Sequence, residues 1–352
     1  MIDFLKTVLP YISGLYTLPW ILVGFIGTVF FSKCFGAERV DKAMKKIALI
    51  LLYFFVAPLV FRIFLDTPLG RQEALFVLIV ILSISFMYFL AYLFALYQIK
   101  RQALTGTKRS LYLKTVITNQ GRSSAFVGGI LLVVESWAVP AGIFMALMGI
   151  ALFAVIPYLL HLFNLRESRT SDDSGLSLPW FLRIYPYYFI FFVVAAILLQ
   201  KLTGLCTKQL GDGGVLIRFY VALTIPAALY YVGSGIHPSD MKRSELRKLI
   251  GLQEDAGIEH WQWVRQIFAL TAVITPLFFF VIFGILYTSK LIPAAWFAVA
   301  LINSILPITS TNMFLVPYGI DKRGTAHAVT WSTLICVPVV VLLIWGLSTW
   351  FA

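Results

Sequence analysis

The stretch that decides the fold is Ile305-Leu-Pro-Ile-Thr-Ser-Thr-Asn312, followed by Met313-Phe-Leu-Val-Pro-Tyr-Gly319. It lies in an apolar run from roughly Pro293 to Gly319, and a run of about 20 residues is enough to cross a bilayer. The middle of this run holds a proline and four polar residues. Lipid offers no partner to the backbone groups that a proline frees, so a lipid-facing helix does not tolerate such a centre. A helix interrupted inside the protein, beside a water-filled cavity, does. A second interruption, Thr118-Asn-Gln-Gly-Arg-Ser-Ser124, falls in the first half of the chain. The two are expected to meet and form a transport site.

Composition supports a membrane setting. Of 352 residues, 60% are hydrophobic and 12% charged. That balance fits an all-α integral membrane protein with the lipid bilayer as its main partner. Residues 1–7 form no basic leader and no small-residue cleavage site follows, so the first apolar run is expected to stay as a helix. A net charge of +12 would suggest nucleic acid in a soluble chain. Here the basic residues cluster in particular loops, which points to topology and away from a nucleic-acid partner. Cys34, Cys206 and Cys336 are scattered, with no metal spacing and no disulfide framework.

Ten apolar segments can be drawn: about 8–32, 47–65, 74–98, 110–136, 138–164, 180–202, 214–236, 264–288, 293–318 and 327–351. The longest connection, His237 to Trp263, carries Lys242, Arg243, Arg247 and Lys248 and suggests a short amphipathic piece at the membrane surface. Most Lys and Arg fall after the odd-numbered segments, as with Lys33, Arg39, Lys42, Lys45 and Lys46 after the first. This bias places those loops in the cytoplasm and both termini outside, in a multi-pass protein of the inner or plasma membrane. Trp20, Tyr185, Tyr187, Tyr188 and Trp350 read as belt anchors at the membrane interfaces.

The halves look related. Each has five segments, with the polar break in the fourth, so equivalent helices run in opposite directions. The expected organisation is a five-helix repeat over 1–165, a cytoplasmic linker at 166–179 and a second repeat over 180–352. The fourth and ninth helices are broken and cross.

Each break has its own chemistry. Pro307 lacks an N–H and crowds the preceding turn, so its helix opens there. Thr309, Ser310 and Thr311 can cap a new helix start, whose free N–H groups favour an anion. Asn312 adds an amide that both donates and accepts. In the first break Asn119 and Gly121 permit a non-helical backbone, and Ser123 and Ser124 can cap the second half. Arg122 is a full cation within a span, which marks a functional site by default, and a guanidinium binds carboxylates through two parallel bonds. The competing readings are structural. Pro307 can be a simple kink, and Arg122 can neutralise backbone carbonyls or snorkel outward. Lys114 reads as an interface residue and Arg218 as snorkelling outward. His161 and His327 read as structural, and Glu135 and Asp321 as solvated helix ends. The sequence has no HExxH, GxSxG or phosphate-binding Gly-rich motif, so neither an enzyme nor ATP-driven transport is expected.

Several of these stretches are similar to one family. Gly36-Ala-Glu-Arg-Val-Asp41 and Ala57-Pro58-Leu-Val-Phe61 fit its first two helices, within a likeness running from Gly24 to Phe64. Asn119-Gln-Gly121 fits the opening of its fourth, and Ile225-Pro-Ala-Ala-Leu229 with Gly233-Ser-Gly235 its seventh. Leu306-Pro-Ile-Thr-Ser-Thr-Asn312, Tyr318-Gly-Ile-Asp321 and Val329-Thr-Trp-Ser-Thr333 fit its ninth and tenth most closely. The family resembled is the auxin efflux carrier family of permeases, related in fold to the bile acid:sodium symporters. The resemblance implies ten transmembrane helices in two inverted repeats, helices 4 and 9 crossing at their breaks, a secondary carrier of organic anions, elevator-like movement and a homodimer. The chain departs from the family pattern Asn-x-Gly-x-x-Gly-x-Pro: Ser124 and Phe126 stand at the second Gly and the Pro, with Gly128 and Gly129 nearby. Arg122 is no part of that pattern.

The resulting expectation is a secondary transporter for a small organic anion such as a carboxylate. Its site would comprise Asn119, Gly121, Arg122, Ser123, Ser124, Pro307, Thr309, Ser310, Thr311 and Asn312. Pro58, Pro226, Gly128 and Gly129 would shape the helices. No cofactor or resident metal is expected, and sodium coupling stays open. The alternatives are a sodium-coupled symporter of the bile-acid type and a membrane sensor that binds without flux.

Overall fold

The computed structural model describes residues 2–9, 19–66, 71–123, 137–168, 180–234, 243–252 and 258–350. Among them the secondary structure is helical; the one extended pairing is an isolated bridge discussed below. Among the described residues, four helical stretches are long and apolar enough to cross a membrane: Gln72–Arg101, Val139–Leu165, Trp261–Thr288 and Lys322–Trp350. A pair bent by 77°, Tyr187–Thr203 and Thr207–Ala222, makes a fifth candidate. These helices fit a membrane protein. The expected elements at Ser124, Gly128, Gly129 and Glu135 lie outside the described residues.

The chain folds as two compact units. The first comprises Met1–Leu75, Ala125–Leu162 and Ser177–Gly235; the second comprises Phe76–Ser124, Phe163–Leu176 and Ile236–Ala352.

The first unit holds α1 (Ile2–Val8), α2 (Pro19–Phe35), α3 (Ala37–Ile50), α4 (Ala57–Asp66), α7 (Ala138–Ile150), most of α8 (Ile156–Ser168), α9 (Trp180–Thr203), α10 (Gly211–Ala222) and α11 (Thr224–Ser234). Helices α2 and α11 lie against one another. Gly24 makes that possible, because a Cβ there would overlap the Tyr230 carbonyl, and small residues let helix backbones approach. Between α3 and α4 the chain widens into a π turn, Leu51–Val56. Pro58 follows directly. Its ring crowds the carbonyl four residues back and it cannot donate, and a wider turn accommodates both defects. Hydroxyls satisfy the carbonyls this exposes: Tyr188 donates to Tyr53 O at 2.9 Å, Tyr220 to Phe54 O, and Thr224 to Phe55 O at 3.3 Å. Pro226 sits where α10 gives way to α11 after Leu223.

This core corrects the belt reading of two tyrosines. Tyr185 is buried at 1% exposure, with its ring 5.0 Å from that of Tyr53. Tyr188 uses its hydroxyl on the π turn. Tyr187, Trp20 and Trp350 are exposed. Arg218 likewise has a partner: its Nε donates to Thr207 Oγ1, and Thr207 donates through both N–H and hydroxyl to Asp66.

The second unit holds α5 (Arg71–Arg101) from Phe76 on, α6 (Gly106–Thr118), α12 (Arg243–Ile250), α13 (Ile258–Phe268), α14 (Thr275–Thr288), α15 (Ala294–Ile305) and α16 (Lys322–Trp350). The short α12 carries Arg247 and Lys248 in its last turn. Its Leu249 packs with Trp261, Val264 and Trp331, and the His327 ring lies 4.9 Å from that of Trp261. Helix α5 exposes Leu78, Leu82, Phe89 and Leu93, and α14 exposes Leu277, Phe280 and Ile285. Large apolar faces of this kind suit lipid. By contrast, Phe297 to Ser304 of α15 are all buried, and so are Lys114 to Thr118 of α6. The interrupted segments run through the interior of the unit, which explains how they carry polar residues.

Candidate functional site

Both interrupted helices stop short of a full crossing. Helix α6 has 13 residues and α15 has 12, or about 18–20 Å each at ~1.5 Å per residue, against a hydrocarbon core of about 30 Å. Helix α15 ends where the sequence demands. Leu306 precedes proline and adopts φ −51°, ψ 146°, the extended region that a following proline enforces. Thr309 then caps a 3-10 helix, Ser310–Tyr318, its hydroxyl accepting from the Thr311 N–H. Gly319, at φ +86°, closes that helix in the left-handed region glycine tolerates.

Helix α6 ends through a tightened turn, with Gln120 N–H donating to Ile117 O and Gly121 N–H to Thr118 O. Gly121 is not among the described residues with positive φ. The glycine freedom expected of it is therefore not what opens this helix. It opens because the chain beyond is held elsewhere.

It is held by the other break. Ser123 N–H donates to the Pro307 carbonyl and Thr309 N–H to the Gly121 carbonyl, both at 2.9 Å. Arg122 thereby stands opposite Ile308 in an antiparallel bridge. The unpaired backbone left by one interruption satisfies the other, as buried polar groups require. Neighbouring helices hold the pair in place. Ile308 N–H donates to Ser332 Oγ of α16 at 3.0 Å. Asn119 Nδ2 donates to the Thr115 carbonyl and to Thr325 Oγ1 of α16. Asp321 caps α16 by accepting from Arg323 N–H through its carboxylate, and its own backbone N–H donates to Thr115 Oγ1. It is a structural cap as well as a helix end.

Arg122 is 1% exposed. One terminal nitrogen donates to Thr271 O at 2.8 Å and to Gln120 Oε1 at 3.4 Å; the other reaches Leu306 O at 3.5 Å. Leu306 O is a freed carbonyl at the end of α15. Thr271 lies in a π turn, Ala269–Ile274, which Pro276 follows just as Pro58 follows the first such turn. Thus the guanidinium fork is directed at backbone carbonyls, the structural one of its two expected roles. The ion pairs among the described residues are Lys6–Asp3 and Arg62–Asp66, so Arg122 has no carboxylate partner there.

Unspent hydrogen-bonding atoms gather on the same two breaks. Thr118 Oγ1, Asn119 Oδ1, Gln120 Nε2, Arg122 Nε and both amide atoms of Asn312 are buried without a partner. Asn312 is 1% exposed. Such groups are rare in folded proteins, and each calls for water, a ligand or a functional reason. Lys114 corrects the interface reading: at 3% exposure it donates to Asn164 Oδ1 at 2.6 Å, and Asn164 Nδ2 donates to Tyr318 O at 3.0 Å.

The structure therefore brings together Asn119, Gly121, Arg122, Ser123, Pro307, Thr309, Thr311 and Asn312. Ser310 opens the 3-10 helix. Ser124 lies outside the described residues, and Pro58 and Pro226 belong to the first unit. Gln120, Thr271, Thr325 and Ser332 join the site without having been expected. Pro276 was the available signal for Thr271. No family model matches the chain, and no curated protein matches it in sequence.

Proposed function

We propose that this protein is a secondary transporter for a small organic anion such as a carboxylate, bound at the crossing of two discontinuous helices and moved by alternating access. One observation carries the reading. A buried guanidinium without a carboxylate partner among the described residues stands in the paired breaks, and the second of those breaks also carries the buried, unpartnered amide of Asn312. An uncompensated buried charge is costly, and an anion entering the crossing would offset that cost. The first N–H groups of the 3-10 helix add favourable potential. Asn312 and Gln120 supply directional donors, while Arg122 acts mainly through its field because its fork is engaged.

The arrangement of ten transmembrane helices in two inverted five-helix repeats belongs to the same proposal. It is supported by the placement of both breaks in fourth segments and by the resemblance to auxin efflux carriers. So do multi-pass insertion in the inner or plasma membrane with outward termini, and a homodimer. The test is a thermal-shift screen of small carboxylates and other anions on purified protein, with Asn312→Leu alongside. A ligand that binds the folded state raises the unfolding temperature by mass action. The reading expects a carboxylate that stabilises the wild type and not the variant. Indifference of the wild type to every anion would refute it.

A further inference from the structure

We infer that Arg122 is a built-in replacement for a coupling cation, so that binding at this site needs no sodium. The inference rests on the transporter reading for its meaning, but its geometry stands alone. The guanidinium gathers oxygens from three elements: Leu306 O at the end of α15, Thr271 O in the π turn before α14, and Gln120 Oε1 in the first break. Carbonyl oxygens at the C-terminal end of a half-helix, next to unwound backbone, are the donor set that holds a small monovalent cation in broken-helix transporters. The negative end of the α15 dipole points at the same place. Here that place is filled by a cation that cannot leave: Arg122 is 1% exposed and is tethered within the bridge by Ser123 N–H and Gly121 O.

An ion and a guanidinium would do the same electrostatic work. Each satisfies the freed carbonyls, pins the two breaks to the π turn and presents positive charge to an anion. They differ in consequence. A dissociable ion couples transport to its gradient. A covalently fixed charge does not, and the anion then moves on its own gradient and the membrane potential. On this account, sodium dependence has been removed by a side chain.

The experiment compares purified wild type, Arg122→Ala and Arg122→Lys by thermal unfolding in sodium, potassium and choline chloride at equal ionic strength. The wild type and Arg122→Lys, each carrying its own cation, are expected to unfold at the same temperature in all three salts. Arg122→Ala is expected to be stabilised saturably by sodium over choline, by about 2–4 °C. Recovery of folded Arg122→Ala in sodium but not in choline supports the inference equally. It is overturned if Arg122→Ala ignores sodium, if the wild type is itself stabilised by sodium over choline, or if Arg122→Ala cannot be recovered in any of the salts. Failure of the transporter reading looks different: the wild type would bind no carboxylate, whatever these cation responses are.

Discussion

Arg122 donates to the carbonyl oxygen of Thr271 at 2.8 Å, joining residues 149 positions apart in sequence. That bond fastens the paired breaks at the ends of α6 and α15 to the π turn between α13 and α14. It places a fixed positive charge where backbone carbonyls are otherwise unsatisfied. Replacing Arg122 with Met is therefore expected to destabilise the protein by about 2–4 kcal/mol, because Thr271 O and Leu306 O lose charge-assisted partners. The loss is read as a lowered unfolding temperature in detergent. An unchanged temperature would mean that the staple carries no load.

Asn312 behaves in the opposite way. Both of its amide atoms are buried and unpartnered, so Asn312→Leu, close in volume, should leave the ligand-free protein as stable or slightly more stable. Anion affinity should fall at least about tenfold, the equivalent of ~1.4 kcal/mol. Stability comes from unfolding curves and affinity from titration calorimetry. Loss of stability without loss of affinity would assign Asn312 to the scaffold.

Much of the paired-break geometry was legible in the sequence, because Pro307 and its polar neighbours violate what a lipid-facing span allows. The meeting of the two breaks was expected from the polar interruption each carries, and the bridge between Arg122 and Ile308 joins them. The partners of charged side chains could not. Thr271 offers Arg122 its backbone, and a carbonyl freed by a π turn leaves no trace in its own residue type, only in Pro276 downstream. Lys114 looked like an interface residue because Asn164, which buries it, lies fifty positions away. Tyr185 looked like a belt anchor because an aromatic near a span end reads the same whether it faces headgroups or a core.

Close helix contact in the first unit gives a paired test. Gly24→Ala places a methyl on the Tyr230 carbonyl and should cost about 1–3 kcal/mol by forcing α2 and α11 apart. Gly142→Ala meets nothing within 4 Å and should be neutral or stabilising by up to about 1 kcal/mol. Parallel unfolding curves separate the two, and equal effects would contradict the packing described.

Thr207 is fully buried and offers Asp66 two donors while accepting from Arg218. Thr207→Val keeps the shape and removes the hydroxyl, so it should cost about 1–3 kcal/mol without altering anion binding in the second unit. A change in affinity larger than the change in stability would show that this cluster has a further role.

The most direct measurement is uptake of radiolabelled small carboxylates into proteoliposomes containing wild type or Asn312→Leu, with the membrane potential set by a potassium gradient. The account predicts saturable, potential-sensitive flux of at least one carboxylate by the wild type and its loss in the variant. Absence of flux for every carboxylate tested, or equal flux through both proteins, would contradict it.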